Sequence, residues 1–258
     1  MVDGPLPATP VPPSPPAALW HDVTAVILAG GVGSRLKSVI HDRPKGLAEV
    51  NGRPFLAFLL EQLRATGAHR VVLSTGHLAA QIEAAFGADF HGLKIIYSRE
   101  ETALGTAGGL RLAAMAALSP SLLVLNGDSI CDLVLLDFLH DYALHGRFPA
   151  MVLSWQPDTA RFGRVEYGPD GRVESFREKG QVSGPGWINA GIYAMERERA
   201  LTITPGRPVS LEREVFPEWI GTGLRAFPSK AGFLDIGTPE SYRQATAFFG
   251  PKPAATPS

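Results

Sequence analysis

A single cysteine, Cys131, in 258 residues rules out an intrachain disulfide and fits a reducing compartment. Charge is equally scarce as a signal. Lys plus Arg total 24 against 25 Asp plus Glu, so nothing in the balance favours nucleic acid or an anionic membrane as partner. No apolar run approaches the roughly 20 residues of a membrane-spanning helix. The N-terminus lacks a basic region followed by an apolar stretch, so no secretory leader is expected and the chain reads as cytoplasmic. The seven histidines include no pair at metal-ligand spacing. Two phosphate-binding fingerprints are missing as well. Counting G-x-G-x-x-G from Gly31 puts Leu36 in the sixth place, and Leu36 also stands where a P-loop needs glycine before Lys37 and Ser38. No internal or hexapeptide repeat is present.

What is present is an α/β alternation. Residues 1–20 hold seven prolines and almost no charge, which predicts an extended or disordered extension, and 250–258 reads as a flexible tail. A single folded domain is expected over 21–249. In its first half, about 21–148, "VTAVIL", "RVVLST", "LKIIYS" and "SLLVLNGD" read as strands separated by helices. Leu56, Leu59, Leu60 and Leu63 mark one helical face. That pattern predicts a mostly parallel sheet with right-handed crossovers, whose ligands bind beyond the strands' carboxyl ends. The second half, about 149–249, is a mixed α/β region with short strands in "AMVLSW", "GRVEY", "RVESF" and "WINAGIYAM" and helices in "SLEREVFPEWI" and after Thr238-Pro239.

Five places carry chemistry. After the first strand, Leu28-Ala29 leads into Gly30, Gly31, Gly33 and Ser34, a run whose exposed N–H groups can form an anion site, with Arg35 and Lys45 adding charge. Leu104, Gly105 and Thr106 open "LGTAGG" just before a helix, a surface that a flat ring or ribose can approach. Asp128 in "NGD" ends the apolar "LLVL", as a loop cap or as a ligand for a hard cation. Glu178 and Lys179 follow a strand, where the plain reading is a solvated pair. Asp235 in "FLDIGTPESY" sits in an apolar run just before a helix cap, where the plain reading is a structural carboxylate. Cys131 reads as a small buried residue, and Trp187 as packing that lies near Asn189.

In this order the motifs resemble the sugar-1-phosphate nucleotidylyltransferases, whose signature is LAGGxGxRL followed by PK. The resemblance covers His21 to Phe249. Within that family "GSRLKSVIHDRPK", "NGRPFLAFLLEQL", "LGTAGG", "LNGDS" and "FLDIGTPESY" look most like the D-glycero-D-manno-heptose 1-phosphate guanylyltransferases, with the mannose-1-phosphate guanylyltransferases nearly as similar. The resemblance implies a nucleotide-diphospho-sugar transferase fold and a nucleotide-binding set of Leu28, Ala29, Gly30, Gly31, Gly33, Ser34, Arg35, Leu104, Gly105 and Thr106. It implies sugar-phosphate contacts at Gly163, Glu178, Lys179 and Asn189, Mg²⁺ on Asp128 and Asp235, and catalytic roles for Arg35, Lys45 and Asp128. Substrates would be GTP, or another nucleoside triphosphate, and a sugar 1-phosphate. Family members are often dimers.

The implied chemistry is in-line attack of a sugar 1-phosphate oxygen on the α-phosphorus, releasing pyrophosphate. A phosphate monoester has a second pKa of about 6, so its oxygen is already anionic and needs no general base. Cations must offset the repulsion between two anions. Two departures stand out: Gly46 follows Lys45 where the family usually has proline, and "REETA" precedes "LGTAGG" where relatives commonly carry an acidic residue and a proline. Glu100 or Glu101 is the expected acceptor for guanine's ring N–H and amino group. The competing reading is a catalytically silent regulatory module of the same fold.

Overall fold

A computed structural model describes residues 16–31, 33, 36, 39–177, 180 and 183–250. In chain order the elements are α1 (Pro16–His21), β1 (Val23–Leu28), a 3₁₀ turn (Lys45–Leu47), β2 (Glu49–Val50), β3 (Arg53–Pro54), α2 (Phe55–Ala65), β4 (Arg70–Thr75), α3 (Ala79–Phe86), β5 (Asp89–Phe90) and β6 (Leu93–Arg99). Next come α4 (Gly105–Ala116), β7 (Ser121–Asn126), β8 (Ser129–Cys131), α5 (Leu135–Leu144), β9 (Ala150–Gln156), β10 (Arg164–Tyr167), β11 (Val173–Arg177) and β12 (Gly186–Glu196). The chain closes with α6 (Arg197–Leu201), a π turn (Leu211–Val215), α7 (Phe216–Gly221), β13 (Arg225–Ser229), β14 (Phe233–Asp235) and α8 (Pro239–Phe248).

Among the described residues ten strands form one mixed sheet, running β11-β10-β12-β7-β1-β4-β6-β5, with β9 joining β12 to β13. The four strands read from the first half are its parallel centre: β1 pairs in parallel with both β4 and β7, and β4 with β6. Such strands are covered on both faces, which is why "VTAVIL" is buried almost throughout and apolar but for Thr24, rather than alternating. Successive side chains still point to opposite sides. Ala25 and Ile27 belong to a core layer with Leu56 and Leu59 of α2 and Phe138 of α5. Val26 belongs to the other layer, with Leu110 of α4 and Phe216 of α7. All four predicted leucines of α2 are buried, each stabilising the fold by about 1.5–3 kcal/mol over an exposed position.

Three differences from the sequence reading have physical causes. The chain becomes helical at Pro16, inside the segment expected to be extended. Proline suits a helix start, and the helix is anchored by Trp20, which is buried and donates its indole N–H to Thr66 O at 2.9 Å. Strand β13 escapes recognition because Pro228 sits within it. The proline is tolerated because it lies toward the far end of β13, beyond the bridge from Arg225 to Arg172, where the strand's partner is β9. A small ribbon of β8 and β14 also went unread, its three-residue strands being too short to show a period.

That ribbon positions the site. It sets Asp235 opposite Ser129, and the Ile236 N–H donates to Asp128 O at 2.9 Å. Two carboxylates far apart in sequence thus reach the carboxyl end of β7 together.

Candidate active site

The carboxyl ends of β1, β4, β6 and β7 converge on a cleft of about 410 Å³. Leu28, Ala29, Gly30, Gly31 and Gly33 form one wall, and Gly105 and Thr106 face them. The Ala29 N–H donates to Ser74 O at 2.8 Å and the Gly127 N–H to Leu28 O at 2.9 Å, so the glycine-rich run leaves the sheet in a fixed direction. Leu104 does not line the cleft. Its N–H instead donates to Glu100 Oε2 at 2.9 Å, and its carbonyl accepts from the Val209 N–H at 2.8 Å. Gly105 holds φ +71°, and a Cβ there would lie 2.5 Å from Val209 O, so only glycine allows this approach.

A second chamber of about 400 Å³ adjoins the first, and Asn126, Asp128 and Glu212 line both. Gly163 and Asn189, two of the expected sugar-phosphate contacts, lie in this second space together with Asp235, which the sequence reading paired instead with Asp128. The β9–β12 register shifts between Asn189 and Tyr193, a bulge that turns "NAG" toward the cavity. Asn189 donates from Nδ2 to the Tyr193 hydroxyl at 2.8 Å and accepts the Gly191 N–H on Oδ1 at 2.9 Å. Burial, and after it the negative charge of Glu212, push the Tyr193 phenol up, so it stays a neutral hydrogen-bonding floor.

Electrostatics concentrate on Asp128. Lys45 Nζ lies 2.6 Å from its Oδ2, with the lysine side chain 12% exposed and the aspartate 38%. Asp235 accepts the Gly237 N–H on Oδ1 at 2.9 Å. Among the described residues no group of three or more His, Cys, Asp or Glu converges to hold a metal. The protein side therefore offers two carboxylates, the donor set of a hard divalent cation that keeps waters and phosphate oxygens as its other ligands. The ammonium on Asp128 shows that this carboxylate accepts a cation. The residues fit such an ion.

Glu100 lines the first chamber, and burial raises its carboxyl above the ordinary range. Glu101 lines an adjoining depression with His77 and Arg99 that Gly30 and Glu100 also border, so of the pair it is Glu100 that faces the first chamber. Trp187 lines neither chamber: with Trp155, at a ring separation of 5.3 Å, it borders another pocket. Cys131 is buried, its thiol pushed up to about 12 by desolvation, as a packing residue should be. Ser34, Arg35, Glu178 and Lys179 lie outside the described residues.

Sequence reasoning missed Arg161, Glu212 and Arg213, all of which line the second chamber. Arg161 is next but one to Gly163, so the motif was in view. It donates to Thr238 Oγ1 at 2.8 Å, which fixes it to the start of α8. Glu212 and Arg213 had no distinguishing signal, because "LEREVF" has the charge pattern of an ordinary solvated helix face.

A parallel sheet with a glycine-rich phosphate-type loop, a lysine and two carboxylates at its carboxyl edge defines a nucleotide-handling transferase. The chain belongs to the nucleotidyl transferase family, whose model matches residues 24–250. It is 35% identical over 225 residues to the D-glycero-alpha-D-manno-heptose 1-phosphate guanylyltransferase of Aneurinibacillus thermoaerophilus, spanning 86% of this chain and 96% of that one. It is also 35% identical over 231 residues to the mannose-1-phosphate guanylyltransferase of Mycobacterium tuberculosis (strain ATCC 25618 / H37Rv), there spanning 88% of this chain and 64% of the relative. The crystal structure of HddC from Yersinia pseudotuberculosis matches with a TM-score of 0.79 at 33% identity, over 88% of this chain and 99% of that chain. HddC has also been solved complexed with GMP-PN, again at a TM-score of 0.79.

Proposed function

We propose that the chain is a sugar-1-phosphate guanylyltransferase that joins D-glycero-α-D-manno-heptose 1-phosphate to GTP, giving GDP-heptose and pyrophosphate in a cytoplasmic route of nucleotide-sugar synthesis. The observation that carries this reading is the pair of adjoining chambers meeting at Asp128. One is walled by glycines and the other by polar side chains, with a cation on the shared carboxylate. Two substrates bound there would meet at one point.

In this reading the glycine-rich run and Gly105–Thr106 enclose GTP, and Glu100 accepts the guanine N–H groups. Arg161, Arg213 and Asn189 receive the sugar phosphate, joined by Lys179 as the sequence implies. A sugar-phosphate oxygen forms its bond to the α-phosphorus as the bond to the β-phosphate's bridging oxygen breaks. The electron pair leaves with pyrophosphate, and no proton need move. Lys45, and Arg35 as the sequence implies, offset the charge that gathers on the departing phosphates. A divalent cation, Mg²⁺ by preference, would sit on Asp128 and Asp235 and supply Lewis-acid neutralisation of the triphosphate.

Mannose 1-phosphate is the second reading, favoured by the equal 35% identity to the mycobacterial enzyme. The test is pyrophosphate release with Mg²⁺, pairing five nucleoside triphosphates with heptose, mannose, glucose and N-acetylglucosamine 1-phosphates. Turnover confined to GTP with heptose 1-phosphate is the expected result. GTP with mannose 1-phosphate selects the second reading, and silence from folded protein across a wider sugar and cyclitol panel favours a silent module.

A further inference from the structure

Glu212 is a carboxylate at the mouth between two chambers that are both read as receiving phosphates. A negative charge there repels phosphate oxygens and attracts hydroxyl donors. It is not a third ligand for the cation, since no three acidic side chains among the described residues converge to share one. The shorter bonds within its own turn are made by Glu214, which accepts the Ser210 N–H on Oε1 at 3.0 Å and takes Arg207 on Oε2 at 2.6 Å.

The turn bearing Glu212 is built to hold it still. Residues Leu211–Val215 form a π turn, a geometry that recurs at functional sites. Ser210 Oγ accepts the Arg213 N–H at 3.3 Å, and the same hydroxyl lies 3.5 Å from Glu212 Oε2. From the nucleotide side, Thr106 Oγ1 accepts the Leu211 N–H at 2.8 Å and the Ala107 N–H donates to Val209 O at 2.9 Å. The Glu212 charge is also felt by the Tyr193 phenol, the group on which Asn126 and Asn189 converge. Glu212 therefore shares the floor of the second chamber with residues whose chemistry suits hydroxyl groups.

We propose that Glu212 is a specificity-determining residue that accepts hydrogen bonds from one or two hydroxyls of the sugar in the second chamber. The assignment rests on the sugar 1-phosphate reading above and names the chemistry within that site. The phosphate belongs to the cations, Arg161 and Arg213, while the ring hydroxyls belong to Glu212.

The experiment is steady-state kinetics of wild type, Glu212→Gln and Glu212→Ala with GTP and the sugar 1-phosphate, extended to a series of monodeoxy sugar 1-phosphates. Wild-type turnover is read first, because its absence overturns the reading of the site and this assignment with it. Given turnover, Glu212→Ala is expected to raise the sugar-phosphate KM by about 10- to 100-fold, the scale of a hydrogen bond to a charged group, with the GTP KM changed less than about twofold. One deoxy analogue should lose about tenfold or more in kcat/KM on wild type and less than about twofold on the variant, which identifies the hydroxyl. Equal losses on both proteins for every analogue overturn the assignment, as does a GTP KM that rises in step with the sugar's. Glu212→Gln keeps the side chain's shape and carries the same test if the alanine variant fails to fold.

Discussion

The ammonium of Lys45 sits 2.6 Å from Oδ2 of Asp128, tying the 3₁₀ turn after Pro44 to the end of β7 across 83 residues of sequence. The pair does two things at once. It closes the floor of the cleft, and it holds a positive charge where a divalent cation and a triphosphate would meet. With the aspartate more than a third exposed, the pair adds at most about 1 kcal/mol to stability. Its importance lies in charge placement.

Replacing Lys45 by methionine should therefore leave thermal unfolding within a few degrees of wild type while lowering kcat by about 10²- to 10³-fold. The same variant removes the resident cation from Asp128, so Mn²⁺ affinity measured by calorimetry without nucleotide should rise. Lys45→Arg should not restore turnover, because a planar fork does not replace a compact point charge in so close a contact. An unchanged kcat for Lys45→Met would remove the lysine from the reaction.

Thr106 links the chambers through one bond: its Oγ1 accepts the N–H of Leu211, whose side chain is buried. Thr106→Val keeps the shape and deletes the acceptor, at an expected cost of about 1 kcal/mol. Because the π turn carries Glu212, KM values for both substrates should rise together, in contrast to the one-sided effect expected for Glu212 itself. Thermal unfolding and a two-substrate KM matrix check both parts.

The central sheet was legible because β1, β4 and β7 are buried on both faces and so appear as largely apolar runs, while β6 announces itself by Leu93, Ile95 and Ile96 set among exposed Lys94 and Arg99. The glycine-rich run, Asp128, Asn189 and Asp235 were legible as motifs, since chemistry at a strand's end needs particular residue types in a short space. Glu212 was not. It enters the cleft through tertiary hydrogen bonds that the Leu211 and Val209 N–H groups donate to Thr106 and Leu104, and its local sequence is that of any charged helix. Trp187, read as packing, does pack, against Trp155 and away from both chambers. It is two residues from Asn189, but the bulge that begins at Asn189 separates their surroundings.

Burial raises the Glu100 carboxyl above its ordinary value of 4.5, against the opposing pull of the Leu104 N–H and the Ser74 hydroxyl. In the window between 4.5 and the raised value the folded chain binds more protons than the unfolded one, so this group's contribution to stability falls as pH rises through it. Below the window the penalty is absent, and above it complete. Glu100→Gln should therefore gain melting temperature relative to wild type at pH 8 and lose that gain at pH 4. As the proposed guanine acceptor, the ionised carboxylate also predicts that wild-type GTP affinity weakens as pH drops through the same window, while the glutamine variant's does not. Differential scanning calorimetry and GTP titrations at the two pH values test these separately.

Gly46 and Gly105 make opposite demands on a methyl group, and the contrast is a direct check on the loop geometry. Gly46 is buried in the 3₁₀ turn, yet a Cβ there would stand 3.6 Å from Leu56 Cβ, ordinary contact, and its φ is not in the left-handed region. Gly46→Ala removes backbone freedom from the unfolded chain without strain and should stabilise by about 0.4–1 kcal/mol. Gly105 has φ +71° and the Val209 carbonyl 2.5 Å from a Cβ. Gly105→Ala must either shift the strap that bears Glu212 or unwind the first turn of α4, so a loss of about 1–3 kcal/mol and weakened GTP binding are expected. Urea unfolding of the two alanine variants, read side by side, should give midpoints displaced in opposite directions from wild type. Displacement in the same direction would mean that the turn carrying Lys45 is not held as the 2.6 Å contact to Asp128 requires.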